Sequence, residues 1–201
     1  MALELAPALF SRQHGEQNRE LIRRYYEAVL GLGISFNQTE STLLWPRLLL
    51  EQPQRYKETH HWRELHSQFA PILLRFRDLM RQWAQGDLSG EAILAALEQS
   101  ADDAGDYLAY FTDLAAPLLD GDTLKQYWLE AQLTALAALA NDAKLLGLGL
   151  LVQDLSHSDA VALLAALPED LKRQWIASGK DQVKANLRAL QALAKVEGTN
   201  A

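Results

Sequence analysis

The chain has 201 residues, no cysteine and a formal net charge of −7. The missing cysteines exclude disulfides, thiol nucleophiles and thiolate-ligated metal centres, and no uncharged apolar run approaches the ~20 residues of a membrane-spanning helix. Residues 1–86 hold 11 Lys/Arg and 9 Asp/Glu, whereas residues 87–170 hold 2 Lys and 15 Asp/Glu; so acidic a middle repels phosphate backbones, and nucleic acid is not expected as a partner.

Residue choice sets the fold class. There are 40 Leu and 30 Ala against 5 Ile and 5 Val. Leu and Ala lose little on entering a helix, whereas β-branched residues favour strands. The expectation is all-α: a compact bundle of about 8 helices, one of them long and kinked (about residues 54–85), with no sheet. Residues 1–196 read as a single helical domain and 197–201 as a disordered tail.

Met1 to Phe10 is apolar but carries Glu4 and Pro7 and no basic stretch, so it does not read as a secretory leader. With the missing cysteines this suggests a cytoplasmic location. A first helix is predicted from about Glu16 to Leu32, with Ile22, Tyr25, Tyr26, Val29 and Leu30 on one face and Gly31 and Gly33 as its stop. Ile34 to Gln38 reads as a connection. Thr39 or Ser41 then caps a helix that Pro46 starts or kinks and Pro53 stops.

The longest predicted helix spans about Gln54 to Gln85. Trp62, Leu65, Phe69, Ile72, Phe76, Leu79 and Trp83 recur at heptad spacing, passing through Pro71, and Gly86 ends the run. Such a seam wants a partner helix, in the same chain or in another protein. Further helices are predicted over Gly90–Ser100, about Asp103–Leu119, and about Asp122–Val152 with a break near Asn141. Asp122 is a plausible cap there, with Leu124, Trp128, Leu136 and Leu139 inward. Ser156 and Asp159 have capping-box spacing before Ala160–Leu167. A short helix from Pro168 holds Leu171, Trp175 and Ile176 and is closed by Gly179. The last helix is Asp181–Val196, with Val183, Leu187, Leu190 and Ala194 on one face. Gly147 and Gly149 sit in an apolar helical run, where they would let another helix approach closely.

Two clusters could carry metal chemistry. Asp102, Asp103 and Asp106 share a helix face, and three close carboxylates suit Mg²⁺. Their spacing is similar to the aspartate-rich motif of isoprenoid synthases, which are also all-helical. The likeness implies, for those three residues alone, a cation bridging to a substrate diphosphate. An arginine such as Arg75 or Arg77 could then steady an anionic substrate. The plain alternative is helix capping by acids. Glu58 and His61, with His60 and His66 nearby, have the Glu-x-x-His spacing of di-iron bundles. Asp154-x-x-His157 repeats that spacing, and Glu27 and Glu130 could complete a ligand set.

The leading expectation from these residues is a non-enzymatic interaction or scaffold protein without a cofactor. It would bind a protein partner, or a second copy, through the seam of Trp62, Phe69, Phe76 and Trp83. The alternatives are a metal-dependent enzyme with an aspartate-rich Mg site, an amphipathic coat protein on an apolar surface, and a bundle holding a small ligand in an aromatic pocket.

Overall fold

The computed structural model of the protein describes residues 2–115 and 121–195. Among them there is no strand, and no helix is long and apolar enough to cross a membrane. The helices are α1 (Ala2–Phe10), α2 (Glu16–Thr39), α3 (Trp45–Glu51), α4 (Tyr56–Gln85), α5 (Gly90–Gln99), α6 (Ala101–Tyr110), α7 (Gly121–Ala138), α8 (Asn141–Asp154), α9 (His157–Ala166), α10 (Glu169–Gln174) and α11 (Lys180–Lys195). The expected tail, residues 197–201, and the side chains of Asp122 and Leu124 lie outside the described residues.

Helix α2 is the axis of the bundle and packs against α4, α7 and α8. Its 24 residues make it about 36 Å long. It does not stop at Gly31 and Gly33 as the sequence suggests. A glycine inside a helix costs ~1 kcal/mol relative to alanine, but here the missing side chains are replaced by neighbours. The Leu139 side chain occupies the space a Cβ would take at Gly31, and Leu73 of α4 packs 3.5 Å from that position at Gly33. The same Leu139 fills the space over Gly147, while Val183 of α11 packs over Gly149. The two glycines of α8 therefore admit close neighbours, as their sequence context predicted.

Helix α4 runs unbroken through Pro71 to Gly86. Gly86 has φ 88°, the left-handed conformation glycine tolerates, and the following N–H of Asp87 reaches the Gln82 carbonyl at 3.0 Å. Its heptad seam is closed within the chain. Met80 and Trp83 enter the main core with Leu9, Ile22, Ile93 and Leu148. Trp62 enters a second core with Leu44, Trp45, Leu48, Tyr107 and Tyr127.

Three local features depart from the sequence reading. Helix α1 is a packed element: Leu9 and Phe10 are buried, and the Phe10 ring lies 5.1 Å from Trp83. A helix of this length is too short to be recognised by periodicity. The second departure is at Thr39–Leu44. Neither Thr39 nor Ser41 caps a new helix there; the chain stays helical through a π turn, Glu40–Leu44, which feeds into α3. Third, Gly179 does not close a helix, because a π turn, Trp175–Gly179, links α10 to α11. A π turn inserts a residue and rotates the register. Trp175 stays buried while the next residue, Ile176, is 76 % exposed.

The capping box at Ser156 and the break near Asn141 are as expected, and α5 gains a serine cap the sequence reading did not name. Ser89 accepts from the Ala92 N–H to cap α5, Ser156 accepts from the Asp159 N–H to cap α9, and α7 breaks from α8 just before Asn141. The described ion pairs of Arg23, Arg24, Arg47, Arg55 and Arg81 go to acids of the first 86 residues, such as Glu20, Glu27 and Glu51, rather than to the acidic middle.

The tightest junction is at the start of α5, where a Cβ on Gly90 would run into the Phe10 carbonyl. Backbone cannot rotate away as a side chain can. Gly90→Ala is expected to lower stability by about 1–3 kcal/mol. Gly105→Ala, with nothing within 4 Å of its Cβ, should be neutral or stabilising. Thermal unfolding of the two variants checks the pair.

Candidate functional site

The residues singled out for metal binding do not converge. Asp102 and Asp106 are exposed on α6, and the Asp103 side chain lies outside the described residues. Glu58 accepts from Arg55 at 3.1 Å, whereas the His61 ring faces Glu64 at 3.6 Å. Glu27 is bound by Arg23 and Arg81. Arg75 is exposed, and Arg77 lies beside Asp78. His157 and Glu130 are exposed, and the Asp154 side chain lies outside the described residues. Among the described residues no three His, Cys, Asp or Glu side chains gather to hold an ion. Of the seam residues, Trp62, Phe76 and Trp83 are buried, and Phe69 stacks on Tyr107 with ring centroids 4.4 Å apart. All four face the chain's own core.

The structure instead assembles a site around Glu40. Ile34 to Gln38 reads as a connection and Thr39 or Ser41 as a cap, but the chain stays helical and the hydroxyls bond their own helix. Thr39 donates to the Ser35 carbonyl at 2.8 Å, and Ser41 and Thr42 donate to that of Gln38 at 2.8 and 3.1 Å. These bonds leave Glu40 to point inward from the π turn, and it is only 4 % exposed. The Tyr107 hydroxyl donates to its Oε2. The His66 Nε2 lies 3.9 Å from the same oxygen and hydrogen-bonds the Asn37 carbonyl at 2.7 Å. A carbonyl can only accept, so Nε2 carries the proton.

This cluster is electrically neutral near pH 7. Burial pushes the Glu40 carboxyl up to about 8, outweighing the Tyr107 hydrogen bond that favours its ionised form. Burial also lowers His66, and it raises both Tyr107 and Tyr127, further helped by the Glu40 charge. No Lys or Arg pairs with Glu40 among the described ion pairs.

Aromatic rings box these groups in. Trp45 meets His66 edge-on at 4.5 Å and Trp62 at 6.2 Å. Within the box the indole N–H groups of Trp45 and Trp62, the Asn37 Nδ2 and the Tyr127 hydroxyl are buried without a partner. The Asn37 carboxamide approaches the Tyr107 hydroxyl, but its nitrogen finds no acceptor in good geometry. Each orphan donor costs ~1–3 kcal/mol. The two indoles and the Asn37 Nδ2 can only donate, whereas the Tyr127 hydroxyl can donate or accept.

A cleft of about 850 Å³ lies against this box, between α2, α7, α8 and α9. One wall is the α2 stripe of Tyr25, Val29, Leu32 and Phe36, and the opposite walls carry Trp128, Leu129, Leu150 and Leu151. Lys125, Gln126, Gln132, Gln153 and Asp159 stand at the lining's polar positions, and Gln132 is buried. Phe36 and Trp128, with centroids 5.7 Å apart, separate cleft from box. Both also pack on the second core, and Asn37 and Tyr127 are their chain neighbours.

Comparison with protein-family models, curated proteins and solved structures returns no match. The chain's function must be read from its own geometry.

Sequence reasoning missed Glu40, Tyr107, Tyr127 and Asn37. One signal was present: Leu32, Phe36 and Glu40 recur every four residues. Carrying α2 past Gly33 would have placed Glu40 on the apolar stripe.

Proposed function

We propose that the protein binds a small apolar molecule in the cleft between α2, α7, α8 and α9. The observation that carries this reading is the cleft itself. Its volume of about 850 Å³ falls in the ~300–1,000 Å³ range of small-molecule sites. It is walled by leucine and aromatic side chains with a few polar groups among them, including the buried Gln132, the usual composition of a small-molecule site.

A protein partner or second copy engaging Trp62, Phe69, Phe76 and Trp83 is less well supported. Those side chains face inward, so α4 would first have to leave its core, whereas the cleft needs no rearrangement. A coat on an apolar surface would call for a continuous apolar face. The large apolar residues most exposed, Leu50 at 84 % and Ile176 at 76 %, stand on α3 and on the turn after α10. A magnesium-dependent reaction at Asp102 and Asp106 has no second group of ligands beside it among the described residues.

The test is titration with an environment-sensitive apolar dye. Saturable one-to-one binding is expected in the unaltered chain. Leu151→Arg puts a charge on the cleft wall and should weaken binding about tenfold or more. Ala162→Arg, at an exposed lining position, should act in the same direction without disturbing the core. Val161→Arg, an exposed neighbour outside the lining, should leave binding unchanged. Equal dye binding in all four proteins would refute the proposal.

A further inference from the structure

One buried group in the cleft wall specifies what a ligand must present, an inference that rests on the cleft being a binding site. We propose that the ligand is a mostly apolar, uncharged molecule bearing a primary carboxamide or a lactam, which pairs with the side-chain amide of Gln132.

Gln132 stands on α7 and lines the cleft, yet it is only 7 % exposed. The other polar lining residues differ from it: Lys125, Gln126, Gln153 and Asp159 are exposed, and the buried Tyr25 already has an interaction of its own. No hydrogen bond among the described residues engages the Gln132 carboxamide, and neither of its polar atoms is fully enclosed by protein. What those atoms face is the cleft that the residue lines. A ligand that covers this amide must bond it, because a buried polar group left unpaired is costly.

Helix spacing keeps this amide away from charge. Lys125, Trp128, Leu129 and Gln132 recur at i, i+3, i+4 and i+7, one face of α7. Gln132 is therefore about 10 Å along the helix axis from Lys125, with Trp128 and Leu129 between them. The facing stripe of Val29, Leu32 and Phe36 on α2 is apolar, as are Leu150 and Leu151 on α8. Asp159, the other charge of the lining, accepts from the Ser156 hydroxyl at 2.6 Å at the start of α9. An ionised ligand group at Gln132 would meet no opposite charge, and burying it unpaired is far more costly than burying a neutral amide.

The amide itself narrows the class further. Gln132 offers a carbonyl oxygen that accepts and an NH₂ that donates, side by side. An ester or a ketone can only accept and an ammonium can only donate, so each leaves half of the amide unpaired. A hydroxyl has both roles on a single atom and meets the two ends of the amide only at bent angles, where hydrogen bonds weaken. A primary amide or a lactam carries its own N–H and C=O on one edge and closes a pair of hydrogen bonds with Gln132.

The test uses the full chain and three probes of one tail and nearly one shape: octanamide, 2-nonanone and octanoate. They differ only in the group beside the carbonyl, and each competes with the apolar dye at pH 7. In the native chain octanamide is expected to displace the dye at a concentration about threefold below that of 2-nonanone and about tenfold below that of octanoate. In Gln132→Leu the first two should exchange places, with 2-nonanone ahead by about threefold, because the amide then has no partner. Gln132→Met, closer to glutamine in shape, should exchange them as well. Both variants put an apolar side chain where an unpaired amide was buried, so their melting temperatures should hold or rise, which shows that they fold. Octanamide competing no better than 2-nonanone in the native chain, or keeping its advantage in both variants, overturns the amide assignment and leaves the cleft standing. Octanoate as the strongest competitor overturns it equally, and loss of that strength in Lys125→Gln would place the head group at the rim. No dye binding to the native chain would remove the cleft reading itself.

Discussion

Replacing Glu40 with glutamine should make the protein more stable at pH 8 to 9 and flatten its stability profile between about pH 4.5 and 8. The carboxyl has an ordinary value of 4.5 and is pushed up to about 8 in the fold by burial. Below pH 4.5 it is protonated in both folded and unfolded chains and has no effect on stability. Between 4.5 and 8 the unfolded chain ionises while the folded one keeps its proton. Stability then falls by ~1.4 kcal/mol per pH unit, reaching a loss on the order of 5 kcal/mol. Above 8 both states are ionised and the loss is constant. His66 acts in the opposite sense at lower pH. Burial lowers its folded value, so its contribution is present above about 6.5 and is lost as pH falls below that. The difference between native chain and Glu40→Gln isolates the carboxyl from His66 and from the phenols of Tyr107 and Tyr127. Denaturant unfolding of both proteins at pH 5, 7 and 9 measures it. Parallel profiles would mean that Glu40 is hydrated or paired, and that the box is not the closed neutral site described.

Trp62→Ala should be severely destabilising, by about 3–5 kcal/mol. Trp62 is fully buried, with Trp45 at 6.2 Å and Phe111 at 5.5 Å. Its removal leaves a cavity that rigid aromatic neighbours cannot collapse to fill. Leu74→Ala, at a 41 % exposed position of the same helix, should cost far less, within about 1 kcal/mol. The contrast separates two roles for the heptad seam. Were Trp62 a contact for another protein, its loss would hardly change the stability of the isolated chain. Urea unfolding with a constant m-value decides between them.

Much of the architecture was legible because it follows from local chemistry. Helix α4 announces itself by an uninterrupted heptad seam and a glycine stop, and α9 by a serine cap. The failures share a cause: long-range packing overrides a local signal. Gly31 and Gly33 look like a stop until Leu139 and Leu73 are known to fill the space beside them. Thr39 and Ser41 look like caps until their hydroxyls are seen bonding back along the same helix. The two π turns have no residue signature, yet one of them decides that Glu40 faces inward. The acidic motif at Asp102 drew attention to α6, but the residue of that helix turned inward is the neighbouring Tyr107. A buried carboxyl has no periodicity of its own. It was concealed as the last position of an apolar stripe that two glycines seemed to end.

The most direct test of the cleft as a ligand site is fluorine NMR of the chain with its five tryptophans replaced by 5-fluorotryptophan. Trp128 lines the cleft, while Trp45, Trp62, Trp83 and Trp175 are buried elsewhere. The Trp128 resonance is assigned by its loss in Trp128→Phe. On titration with the apolar dye that resonance should shift saturably while those of Trp83 and Trp175 hold still. A spectrum in which no resonance moves, or in which all five move together, would contradict the account.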